Sequence, residues 1–93
     1  MQALFQNKIV AESDDVLVID GEHYFPRASI DASLLLRSNH RSRHAQYGDE
    51  SWYSLLVNGE MLPEAAWAYL QPTEAGEPLR DRIAFTRGVK LQT

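Results

Sequence analysis

Two dipeptides, Asp20-Gly21 and Asn58-Gly59, constrain this chain more than any other feature. Each stands between runs of β-forming residues. A two-residue hairpin loop of the favoured type holds both of its residues at φ above zero, which Asp, Asn and Gly tolerate and branched residues do not. Val16-Leu-Val-Ile19 and Glu22-His-Tyr-Phe-Pro26 flank the first loop. With Asp20-Gly21 as the turn, Ile19 pairs with Glu22, Val18 with His23, Leu17 with Tyr24 and Val16 with Phe25. Side chains alternate along a strand, so Val16, Val18, His23 and Phe25 share one face and Leu17, Ile19, Glu22 and Tyr24 the other. Both faces carry large apolar groups, which predicts a central hairpin covered on both sides.

Ser51-Trp-Tyr-Ser-Leu-Leu-Val57 and Glu60-Met-Leu62, joined by Asn58-Gly59, form the second hairpin, which Pro63 is expected to close. Trp52, Leu56 and Met61 fall on one face of it, and Tyr53, Leu55, Val57 and Leu62 on the other. Gln6-Asn7 reads as a tight turn between Leu4-Phe5 and Lys8-Ile-Val-Ala11. The alternation of small and aromatic residues in Ala65-Ala-Trp-Ala-Tyr-Leu70 predicts an extended segment. Arg82-Ile-Ala-Phe-Thr86 and Val89-Lys-Leu91 finish the chain as strands, with at most one helical turn between Thr73 and Asp81. Ile30 and Leu34 sit four apart, and this spacing predicts a short helix over residues 28–36 with Ser29 as its N-cap. Arg37-Ser-Asn-His-Arg-Ser-Arg-His44 has no apolar periodicity and reads as a loop. The sum is a mainly β, antiparallel domain of about seven short strands with one or two short helices.

At 93 residues the chain is expected to form one domain, residues 1–93, with a single modest core. Its 44% hydrophobic and 24% charged residues are ordinary for a soluble globular protein. The absence of cysteine excludes disulfides, thiol catalysis and any Cys-ligated zinc or iron–sulfur site. No apolar run reaches the ~18 residues of a membrane-spanning helix. The N-terminus shows neither a charged n-region nor a long apolar stretch, so the cytoplasm is the default location. A formal net charge of −4 argues against general nucleic-acid binding. The charge is unevenly spread, however, and residues 37–44 carry three arginines and no acid, a local patch able to attract an anion.

Several segments in the same order and spacing carry a family resemblance: Ala11-Glu-Ser-Asp14, Val18-Ile-Asp-Gly-Glu-His-Tyr-Phe-Pro26, Ala65-Ala-Trp-Ala-Tyr69 with Pro72, and Ile83-Ala-Phe85 with Gly88-Val89. Together they resemble domain of unknown function family 427, small and mainly bacterial proteins, nearly from end to end. The resemblance implies a β-tent, the architecture of methionine sulfoxide reductase B and Yippee-type domains, in which antiparallel sheets meet over a cleft. Zinc-binding proteins of that architecture use cysteines, which this sequence lacks. The family's central Cys-Pro-Trp-Lys-Gly motif aligns with His44-Ala45-Gln46-Tyr47-Gly48, where the glycine alone is kept. Any chemistry of that cysteine or lysine does not carry over.

Aromatic residues are the first candidates for a site. Tyr24, Trp52, Tyr53, Trp67, Tyr69 and Phe85 lie on predicted strands, where core packing is the ordinary role of such residues. Trp67 and Tyr69 share one face of their segment, and with Tyr53 they are the candidates for the wall of a ligand cleft. His23 is the candidate polar contact, with Glu22 beside it, against the commoner alternative of a histidine satisfied within the sheet. Arg41 and Arg43 are placed at the cleft mouth, because guanidinium groups clamp carboxylate or phosphate by paired hydrogen bonds; a solvated basic loop is the competing assignment. His40 and His44 stand four apart, but in a loop crowded by cations that spacing does not serve a metal, so neither metal nor cofactor is expected. No Gly-x-Ser-x-Gly elbow or phosphate-binding glycine loop occurs. The leading expectation is a domain that binds a small ligand, an anionic one included, in an aromatic-lined cleft. Two alternatives stand beside it: an enzyme using His23 as acid–base, and a protein-interaction module using residues 37–44 against an acidic partner.

Overall fold

A computed structural model describes residues 1–93 as nine strands in two antiparallel sheets. Strands β1 (Gln2–Phe5), β2 (Lys8–Glu12) and β9 (Lys90–Gln92) form the smaller sheet in the order β2-β1-β9. The larger sheet has the order β3-β4-β8-β7-β6-β5. Its strands are β3 (Leu17–Ile19), β4 (Glu22–Pro26), β5 (Leu35–His44), β6 (Gly48–Val57), β7 (Glu60–Ala68) and β8 (Arg82–Phe85).

All three expected two-residue turns form, and the backbone shows why. Gln6 and Asn7, Asp20 and Gly21, and Asn58 and Gly59 all have positive φ, between 53° and 80°. These turns set the register, which matches Ile19 to Glu22, Val18 to His23 and Leu17 to Tyr24 in the first long hairpin. In the second, Val57 faces Glu60, Leu56 faces Met61 and Leu55 faces Leu62. The β3–β4 hairpin nevertheless is not central. Strand β3 is an edge, and the middle of the large sheet is β8-β7-β6.

Three further expectations are corrected. Residues 28–36 contain no α-helix but two 3-10 turns, Arg27–Ser29 and Ala32–Leu34, with Ile30 bridging to Ala11 between them. The four-residue spacing of Ile30 and Leu34 mimics helical periodicity. Ser29 bonds back to the Pro26 carbonyl, and Asp31 is the residue that caps, accepting from the Ser33 amide. Pro63 does not close the second hairpin. Residues 63–65 bulge opposite Ser54 with Glu64 at φ 51°, and pairing resumes at Tyr53 with Ala66. A bulge is a position where a missing N–H costs no ladder bond. The segment 37–44, expected as a loop, is strand and forms most of β5.

Burial follows the alternation. One face of the large sheet packs against the small sheet through Phe25, Tyr53, Leu55, Val57, Ile83 and Phe85, which meet Ala3, Val10, Ala11 and Val89. The opposite face carries a second cluster of Tyr24, Trp67, Tyr69 and Ala84, closed by Leu79 from the 3-10 turn Glu77–Leu79. The sheet thus buries apolar groups on both sides, but the first hairpin is covered only in part: Val18, on the edge strand, is exposed.

Candidate functional site

Beyond the end of the inter-sheet core, β5 and β6 present a groove of about 600 Å³. That volume is within the range of sites for small organic ligands, roughly 300–1,000 Å³. Arg37, Arg41 and Arg43 from β5 line it with Asp49 and Ser51 from β6, and the segment after β7 adds Leu70 and Gln71. Leu70 is the one apolar side chain in the lining. The strand explains the arrangement, since Arg41 pairs with Ser51 and Arg43 with Asp49. A bulge separates Arg41 from Arg37, placing Ser38, Asn39 and His40 opposite Trp52 alone. Arg41 itself stiffens that bulge, its Nη1 donating to the carbonyls of Ser38 and His40 at 3.1 Å each.

The other two guanidinium groups of the groove are held differently, and Arg27 stands beside them. Arg43 forms an ion pair with Asp49 at 2.8 Å, both side chains largely exposed. Arg37 donates from Nη2 to Ser51 Oγ at 3.3 Å and lies 5.7 Å from the centre of the Tyr53 ring. Arg27 lies 5.3 Å from the same ring and donates to the Tyr53 hydroxyl at 3.3 Å. Tyr53, only 5% exposed, therefore supports two guanidinium groups by cation–π attraction. The ion pairs in the molecule are Arg43–Asp49, Arg80–Glu77 and Arg82–Asp15, so Arg27, Arg37 and Arg41 have no carboxylate partner. Positive charge held beside a concave, polar surface attracts anions.

Across the sheet the chemistry changes. Trp67 is 9% exposed and Tyr69 2%; Trp67 borders a cavity of its own, away from the arginines, and Tyr69 is enclosed. Trp67 stacks at a tilt on Trp52 with centroids 5.4 Å apart, and edge-on to Tyr24 at 6.3 Å. Tyr69 donates to Glu50 Oε2 at 2.7 Å. Ser42 donates to the other oxygen of Glu50 while accepting from Trp52 Nε1 at 2.8 Å. Burial raises the Tyr69 phenol far above the ordinary tyrosine range, and the bond to Glu50 adds to it. Burial likewise raises Tyr24. Both hydroxyls stay neutral over the whole physiological range, and the cluster reads as a second core in which Tyr69 is hydrogen-bonded and the buried Trp67 Nε1 has no partner.

His23, on β4, is separated from the arginines of β5 by β8, β7 and β6. It lines a smaller cavity of about 370 Å³ with Glu22, Trp67, Phe85 and Arg87, near the tip of the first hairpin. No side-chain hydrogen bond joins His23 to Glu22, which is exposed. Of the expected site residues, then, Arg41 and Arg43 meet in one groove, with Tyr53 beneath its neighbour Arg37. Trp67 and His23 share another cavity, and Tyr69 is enclosed. No cluster of three or more His, Asp or Glu side chains could hold a metal ion.

Of the groove residues, sequence reasoning names Arg41 and Arg43 and misses the rest: Arg37 and Ser42 on β5, Asp49 and Ser51 on β6, and Leu70 and Gln71 beyond β7. The signal for Arg37 lies in the odd-numbered arginines at 37, 41 and 43, which share a face once the segment is read as extended. His44 plays a local part. Its Nδ1 accepts from the Gln46 and Tyr47 amides at 3.1 and 3.2 Å, and its ring stacks on Tyr47. It thereby caps the β5–β6 turn. No curated protein matches the chain. The family model described as Domain of unknown function (DUF427) matches residues 1–92, and the chain belongs to that family.

Proposed function

We propose that this domain binds a small anionic ligand in the groove lined by Arg37, Arg41 and Arg43. The observation that carries the reading is the pair Arg37 and Arg41: two guanidinium groups in one groove, each anchored by neutral acceptors and neither matched by a carboxylate. Anchoring lowers the entropy lost when such a group engages a ligand, and the planar fork suits carboxylate and phosphate oxygens. The aromatic residues act from behind, Tyr53 holding Arg37 in place. Titrating the protein with citrate, sulfate and phosphate at constant ionic strength, followed by ¹H–¹⁵N spectra, tests the reading. Shifts centred on residues 37–43 and 49–51 are expected, and their loss in the Arg37→Gln/Arg41→Gln variant. Shifts spread evenly over the surface, or unchanged in that variant, contradict it.

A second reading rests on the position of β5 at the edge of the large sheet. An extended acidic segment of a partner protein adding to that edge would satisfy its free backbone groups and its arginines together. Capture of such a partner falls with salt and with substitution of Arg41 and Arg43; capture unaffected by either rules this reading out.

A further inference from the structure

We infer that the groove selects a dianion over a monoanion, and that its ligand class is a small-molecule phosphate monoester. This rests on the reading of the groove as an anion site and names the anion. Three arginines against the single carboxylate of Asp49 leave two uncompensated positive charges in the lining. A phosphate monoester carries close to two negative charges at neutral pH, its second pKa being about 6, whereas carboxylates and sulfate esters carry one. Each guanidinium also keeps donors free for a many-oxygen ligand. Arg41 uses only Nη1, Arg37 only Nη2 and Arg43 only Nη1 in internal bonds. Ser51, 8% exposed, accepts from Arg37, which leaves its hydroxyl proton free for a ligand oxygen. Leu70, the one apolar residue of the lining, offers a shoulder for the organic part. The net charge of −4 repels an extended polyanion, so the fit is to a small molecule.

The other titratable groups of this hairpin lie off the groove. His40 packs at a tilt against Trp52, His44 stacks on Tyr47, and Glu50 accepts from Tyr69 and from Ser42, the latter a lining residue. Glu64 accepts from Ser38 at the bulge. At pH 5.0, where both probes are predominantly monoanions of the same shape, these groups act alike on the two, so any difference that remains there is not one of ligand charge.

The test compares phenyl phosphate with phenyl sulfate on the full chain at pH 7.5 and pH 5.0 and constant ionic strength, with affinities from ¹H–¹⁵N titration. At pH 7.5 phenyl phosphate is expected to bind about tenfold tighter than phenyl sulfate, the scale of one added charge beside a partly exposed guanidinium. At pH 5.0 the two should converge as the phosphate becomes a monoanion. Arg41→Gln, at an exposed position, should abolish most of the preference at pH 7.5 without unfolding the protein. Equal affinities at pH 7.5, with shifts still centred on the groove, overturn the dianion inference and leave the anion site standing. No groove shift with either probe overturns both.

Discussion

Removing one oxygen atom, in Tyr69→Phe, leaves Glu50 Oε2 without its donor in a partly buried setting. The expected cost is about 1–2 kcal/mol in denaturant unfolding at pH 8. The sign of the alkaline dependence follows from burial. The folded phenol is raised above the unfolded value of about 10, so its contribution is intact below that pH and is lost as pH rises toward the folded value. Between pH 8 and pH 11 the wild type should therefore lose stability, and Tyr69→Phe should lose less of it. Identical losses would show that Tyr69 ionises freely. Asp49 gives the opposite kind of substitution. Its pair with Arg43 is exposed, so Asp49→Asn should change stability by less than about 0.5 kcal/mol. Binding of phenyl phosphate should tighten about two- to fivefold, since one repelling charge leaves the groove. Weaker binding would mean that Asp49 orients Arg43 rather than opposing the ligand.

Among the elements, the hairpins are legible in the sequence because their turns demand residues that few others can replace, as at Asp20-Gly21 and Asn58-Gly59. Strand β5 is not. Arg37-Ser-Asn-His-Arg-Ser-Arg-His44 has neither β-branched nor aromatic carbocyclic residues, and its bulge interrupts the alternation that would betray a strand. An edge strand needs no apolar faces, and charged residues there block pairing with other chains. That places the groove's arginines where sequence periodicity is weakest. Replacing Arg41 and Arg43 together by Val should accordingly produce a species that sediments faster than wild type at equal concentration. Unchanged sedimentation would remove edge protection from the roles of β5. In the neighbouring strand, Leu55 is fully buried against the small sheet, and Leu55→Ala should cost about 2–5 kcal/mol by thermal or chemical unfolding.

At the scale of the whole molecule, the two sheets and the second aromatic cluster divide the labour. The inter-sheet core fixes β6 through Tyr53, Leu55 and Val57, and β6 carries Ser51 and Asp49 beyond the core into the groove. Burying Trp67 and Tyr69 on the far side secures that scaffold, and Tyr53 links it to the arginines through Arg37. The groove's positive charge comes from β5, a strand with no fully buried residue in either core. Isothermal titration of wild type and of Arg37→Gln/Arg41→Gln with phenyl phosphate, at pH 7.5 and fixed ionic strength, probes this division most directly. Saturable 1:1 binding to the wild type, weakened at least about tenfold in a variant that still unfolds cooperatively on heating, is the predicted result. Equal binding by both proteins, or none by the wild type, would contradict it.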